Sequence, residues 1–160
     1  MKVVTEQEER YVHLFQCVED LNGAWRVLHE LKDSGAAGEL AQAAFRYALV
    51  EYAKPYKRSE GTVTKWHQLN EDSVPPQYVD LHRDLVSARD KIHAHSDLTV
   101  REARLRVRQT KDGKIVTPVR KGVDVAEEYS RLDSIIDLVE VTIEGLYHEL
   151  KDLGQSLPEN

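Results

Sequence analysis

The stretch "YSRLDSIIDLVEVTIEGLYHELKDL", Tyr129 to Leu153, decides the fold class. Tyr129, Leu132, Ile136, Val139, Ile143, Leu146, Leu150 and Leu153 recur at steps of three and four, which puts them along one side of an α-helix. The spacing predicts a helix of about eight turns at 3.6 residues per turn. It starts at Asp124, with Glu127 and Glu128 at the positive end of the helix dipole, and Gly154 ends it. One apolar stripe cannot be buried alone, so the rest of the chain must supply matching stripes.

It supplies three. "TEQE", Thr5 to Glu8, has capping-box spacing and opens a helix whose stripe is Tyr11, Leu14, Phe15, Val18, Leu21, Trp25 and Leu28, ending near "KDSG". A second helix is expected from Gly35 to Lys54, with Leu40, Ala44, Phe45, Ala48, Leu49 and Tyr52 inward and Pro55 stopping it. Pro75 and Pro76 pre-set a third helix, in which Tyr78, Leu81, Leu85, Ala88 and Ile92 keep the same spacing. The polar segment between the second and third helices reads as a long connection with one short helical turn around Trp66.

Between the third and fourth long helices the period changes to two. "EARLRVRQT", "KDGK" and "IVTPVRK" read as a β-hairpin around an Asp-Gly turn. Leu105 and Val107 share one face and Arg104, Arg106 and Arg108 the other, a cationic ribbon with an apolar back; Pro118 marks the second strand as an edge. The fold class is all-α: one domain over 1–160, an antiparallel four-helix bundle with a β-hairpin inserted at about 101–121.

Composition agrees with a water-facing globular domain: 41% of residues are hydrophobic and 31% charged. No apolar run reaches the roughly 20 residues that span a bilayer and none resembles a signal peptide, so a cytoplasmic protein with no membrane association is expected. Cys17 has no partner cysteine and sits on an apolar helical position, as a small hydrophobe would. The net charge of −6 conceals segregation. From Arg89 to Lys121 there are ten basic and four acidic residues, an excess of six positive charges, so the remainder carries −12. Indiscriminate coating of nucleic acid is excluded, and a local phosphate-attracting patch is not.

The polar residues at the end of the third helix need explaining. His82, Val86, Arg89 and His93 form a flank beside its apolar seam. His95 is six residues after Arg89, about 120° away on an unbroken helix. The helix must therefore end near Ile92 for Arg89 and His95 to act together within one chain, and "HSDLT" favours such an ending. "ARDKIHAHSD" resembles the signature of the HEPN superfamily: an arginine and a histidine separated by four to six residues, with a polar residue directly after the arginine. Here these are Arg89, Asp90 and His95, with five residues between the arginine and the histidine. The resemblance extends over the bundle from about Thr5 to Leu153.

The resemblance implies a metal-independent endoribonuclease, or a non-catalytic RNA-binding relative, acting as a homodimer in a prokaryotic toxin–antitoxin or abortive-infection system, with a cognate antitoxin protein as a further partner. The chemistry suits the residues. Histidine moves protons near neutral pH, and arginine stays charged and forks onto phosphate oxygens. His95 would be the acid or base and Arg89 the phosphate clamp. Asp90 would orient a neighbour or the sugar, and His93 is the alternative second player. Two-fold symmetry would bring two arginines and two histidines into one cleft. Arg104, Arg106 and Arg108 would hold the RNA backbone. No cofactor is implied, and no metal: "HAHSD" has a metal-hydrolase order, but on a helix its alternate residues diverge. His67 and His82 read as polar surface residues, Trp25 as part of the core stripe, and Trp66 as a residue packing the long connection down. The alternative reading is a dimeric helical protein-interaction module without chemistry.

Overall fold

The structure is a computed structural model that describes residues 5–93, 104–111, 113–119 and 129–158. It is mostly helical. Four long helices, α1 (Glu6–Ser34), α2 (Glu39–Ala53), α3 (Val79–His93) and α4 (Leu132–Ser156), carry the core, and a two-stranded hairpin follows α3.

Thr5 starts α1 as a capping box: its Oγ1 accepts from the Glu8 N–H at 3.2 Å, while its own N–H donates to Glu8 Oε2 at 2.9 Å. Gly35, in the left-handed region at φ 57°, ends the helix, a conformation that costs glycine least. Gly38 also has positive φ, so α2 begins at Glu39 rather than at Gly35. It ends at Ala53, ahead of Pro55, which lies in a 3-10 turn from Lys54 to Tyr56.

The four stripes meet in one core. α1 packs on α2 and on α4, and α2 packs on α3. Leu21, Phe45, Leu49, Leu85, Leu138 and Val139 are almost fully excluded from solvent. Two expected core residues are outside it: Phe15 is 51% exposed and Leu40 87%. At about 100° per residue, each lies one step round the helix from the residue that faces inward, Leu14 beside Phe15 and Ala41 beside Leu40. Gly154 lies inside α4, which runs on to Ser156, so the expected stop falls two residues early. The helix starts at Leu132 rather than at the expected Asp124, after a turn at Ser130 and Arg131; residues 124–128 themselves, with Glu127 and Glu128 of the expected first turn, lie outside the described residues.

The connection from α2 to α3 also differs from expectation. Trp66 is in an extended pair, not a helical turn: β1 (Ser59–Glu60) runs antiparallel to β2 (Trp66–His67), with Ser59 opposite His67. Trp66 remains 45% exposed, and it is the carboxylate of Glu9, on α1, that ties this connection down. Glu9 accepts hydrogen bonds from the N–H groups of Thr62, Val63 and Thr64 and from Thr62 Oγ1, and His67 Nε2 lies 3.1 Å from its Oε2. Those bonds, together with burial that opposes them, leave its carboxyl well below the usual range. Gly61 is required inside the loop, since a Cβ there would lie 2.1 Å from the Thr64 carbonyl oxygen.

The expected hairpin forms, but Gly113 is the first residue of its second strand, opposite Thr110, rather than a central residue of the turn. β3 (Arg104–Thr110) pairs antiparallel with β4 (Gly113–Val119), Leu105 opposite Pro118 and Val107 opposite Val116. Opposite residues share a face, so Leu105, Val107, Val116 and Pro118 make an apolar side, and Arg106, Arg108, Ile115 and Thr117 lie on the other. The central Asp112 of its turn lies outside the described residues. Both faces are exposed; Leu105 is 71% accessible.

Candidate functional site at the end of α3

α3 presents Leu81, Leu85 and Ala88 to the core and the flank His82, Val86 and Arg89 beside it. Arg89 is partly buried. Its Nη1 donates to Asp90 Oδ1 at 3.1 Å, and the other carboxylate oxygen of Asp90 accepts from Lys57 Nζ at 2.8 Å. Burial favours the protonated form of Asp90, but the hydrogen bonds from Lys57 and Arg89 outweigh it and hold the carboxyl below its ordinary range. Two cations thus share one carboxylate, a local excess of one positive charge. The Nε–H of Arg89 is buried without a hydrogen-bond partner among the described residues, a deficit that native structures rarely leave unfilled.

Beside this cluster a cleft of about 600 Å³ lies between α3 and the segment leading to it, lined by Tyr56, Lys57, Gln68, Asn70, His82 and Val86 among others. Lys57 belongs to both the cluster and the cleft. His82, expected on the surface, is 95% buried: residual exposure is 5%. Its Nδ1 pairs with the Tyr52 hydroxyl at 2.8 Å, and its ring lies 4.3 Å, edge on, from that of Tyr56. Burial lowers its pKa, with Glu71 opposing, so the imidazole is neutral at pH 7. His67 is likewise not a surface residue, being held between Glu9 and His13, whose ring stacks on it at 4.9 Å.

The structure brings together Arg89 and Asp90 of the expected site and adds Lys57, which sequence reading missed because it stands 33 residues away. His93 is the last residue of α3; its side chain, the whole of His95 and the side chain of Arg104 lie outside the described residues, as does the expected break after Ile92. Arg106 and Arg108 are exposed on β3. Cys17 is buried, as expected, and although His13 Nε2 lies 3.6 Å from its sulfur, burial and the nearby Asp20 push the thiol up to about 12. The pair is therefore no thiolate nucleophile. Trp25 is partly buried, its Nε1–H donating to Glu140 on α4. Among the described residues no cluster of three or more His, Cys, Asp or Glu side chains is arranged to hold a metal ion, and no helix is long and apolar enough to cross a membrane.

In comparison with known proteins, no family model matches the chain, and no curated protein or solved structure is similar to it.

Proposed function

We propose that the chain is a HEPN-like, metal-independent endoribonuclease of a prokaryotic toxin–antitoxin or abortive-infection system, working in the cytoplasm as a homodimer on RNA and held in check by a protein antitoxin. The observation that carries the reading is the side chain of Arg89: 27% exposed, its guanidinium fixed on one edge by Asp90, with a buried Nε–H that has no partner among the described residues. The exposed part of the guanidinium offers donors to a phosphate, and the excess charge of the Lys57–Asp90–Arg89 cluster attracts it.

The reaction then follows from the groups. The 2'-hydroxyl of the RNA attacks the adjacent phosphorus; a 2'-O–P bond forms as the P–O5' bond breaks. One His95 takes the hydroxyl proton, the His95 of the second copy returns a proton to the departing 5'-oxygen, and the products are a 2',3'-cyclic phosphate and a 5'-hydroxyl. Arg89 meets the charge that builds on the phosphorane. Asp90 and Lys57 act through Arg89, as positioning residues. His93 replaces the second histidine if the helix continues past it, and Arg104, Arg106 and Arg108 hold the strand outside the cleft.

The test is RNA cleavage in EDTA by the wild type, Arg89→Ala and His95→Ala. Cleavage by the wild type, lost about 100-fold in each variant with unchanged thermal unfolding, supports the proposal; an inactive wild type, or variants as active as it, overturns it.

A second reading, a dimeric protein-interaction module, is favoured by the exposed apolar side of the hairpin, Leu105, Val107 and Val116, the kind of surface that partners cover. Under it, Leu105→Asp with Val107→Asp abolishes partner binding while Arg89→Ala and His95→Ala leave it intact.

A further inference from the structure

We infer that the cleft between α3 and the 56–71 segment is a base-binding subsite, which seats the nucleobase of the nucleotide whose phosphate lies at Arg89. The inference rests on the ribonuclease reading and adds to it a second contact area with a chemistry of its own.

Position comes first. Val86 and His82 lie one and two turns before Asp90 and Arg89 along the same flank of α3, and Lys57 lines the cleft while its ammonium holds Asp90. A ligand bound to the charged cluster therefore has the cleft as its neighbour, within reach of a single nucleotide. The volume, about 600 Å³, lies within the range of roughly 300–1,000 Å³ usual for small-molecule sites.

The lining is built from groups whose orientation is already fixed. The Gln68 amide donates its Nε2–H to the Tyr56 carbonyl at 2.8 Å, and the Asn70 amide donates to Asp72 at 2.7 Å. In each, the amide oxygen is left as an acceptor. His82 offers the complement. We assign the Tyr52 O–H as the donor to Nδ1, 2.8 Å away, which places the ring proton on Nε2. Nε2 has no partner among the described residues, so the histidine brings an N–H donor to the cleft. A donor, two amide acceptors, an aromatic wall at Tyr56 and an apolar floor at Val86 match a flat heterocycle with donors and acceptors on its edge. They do not match a bare anion, which Lys57 and Arg89 already serve, nor an aliphatic ligand, which would leave the amides unpaired. The burial of His82 fits this use: a neutral imidazole discriminates by hydrogen bonding, whereas a charged one would attract any phosphate.

The probes are the 3'-monophosphates of adenosine, cytidine, guanosine and uridine, with inorganic phosphate as control, titrated into the full chain. Binding is read from the NMR signals of His82, Gln68 and Asn70, and cleavage sites in a mixed-sequence RNA are mapped in parallel. Val86→Phe fills the open cleft from a partly buried position at the edge of the core, with thermal unfolding as the check that the fold is kept, and Gln68→Ala removes one acceptor. The expected result is that at least one nucleotide shifts the cleft signals saturably, that inorganic phosphate does not, and that Val86→Phe weakens nucleotide binding about tenfold while Gln68→Ala changes the base preference at the cleavage site. Nucleotides that act only as inorganic phosphate does, with cleft signals unmoved, overturn the inference. So does an active enzyme whose base preference both variants leave unchanged, an outcome under which the nuclease reading stands. A wild type that cleaves no RNA but binds the nucleotides in the cleft fails the nuclease reading and keeps the subsite.

Discussion

Two carboxylates tether separate segments to helices in this molecule, and they are satisfied to different degrees. Glu9 on α1 accepts from three backbone N–H groups and the Thr62 hydroxyl, with His67 beside it; both oxygens of the carboxylate are taken, and these bonds hold the Thr62–Thr64 loop in place. Asp90 on α3 joins two cations instead, and the arrangement leaves one positive charge over and one buried N–H of Arg89 without a partner among the described residues. Both link an α-helix to a connection, the Glu9 carboxylate buried and the Asp90 cluster partly exposed. A carboxylate whose oxygens are filled by the donors of one loop marks architecture; a carboxylate shared by two cations leaves positive charge for something else to complete.

Substitutions separate the two. Arg89→Ala should give the largest effect, about a 100-fold loss of RNA cleavage with a melting temperature close to wild type, because the guanidinium is only partly buried; a loss of stability without loss of activity would move Arg89 to the architectural side. Glu9→Ala should do the reverse, leaving cleavage at 25 °C near wild type while lowering Tm by roughly 5–10 °C, as charge-assisted bonds to the loop are lost; calorimetry and the same assay read both.

Acid sharpens the contrast. Because the folded pKa of Glu9 is depressed, its stabilisation is complete above the unfolded value of 4.5 and is lost as pH falls through the folded one. Urea midpoints should therefore decline below pH 4.5, and Glu9→Gln should remove much of that slope. His82 has the same sign at higher pH: buried neutral, it withdraws stability as pH drops below its ordinary 6.5. Gly61→Ala should cost less than Glu9→Ala, its Cβ pushing the loop off the Thr64 carbonyl while the remaining bonds to Glu9 persist, seen as a smaller fall in Tm. The smallest change belongs to Arg10→Ala, which breaks an exposed ion pair with Glu149 on α4 and should alter unfolding free energy by about 0–1 kcal/mol.

Helices and hairpin were legible in the sequence because their periods were long and repeated: α1 has its cap and terminating glycine where "TEQE" and "KDSG" put them, and the two strands follow from the alternation, although Gly113 pairs with Thr110 instead of occupying the centre of the turn. What failed was local. Phe15 and Leu40 are apolar and adjacent to stripe residues, and periodicity alone does not say on which side of the stripe the neighbouring helix lies. The segment around Trp66 lacks any period, since a single distant carboxylate, Glu9, organises it. Of the candidate site, Arg89 and Asp90 could be read from their spacing, but Lys57 and the burial of His82 could not, because both depend on how α2 and the 3-10 turn after it approach α3. The one sequence trace of His82 was its place between Leu81 and Leu85, at the edge of the stripe.

The most direct test of an open phosphate position at the end of α3 is the NMR signal of the Arg89 Nε–H, followed while an uncleavable 2'-O-methyl RNA is added. The account predicts that this resonance shifts saturably and becomes protected from solvent exchange, ahead of the arginines of the hairpin. An Arg89 signal that stays unchanged, or that moves no more than those of Arg106 and Arg108, would contradict it.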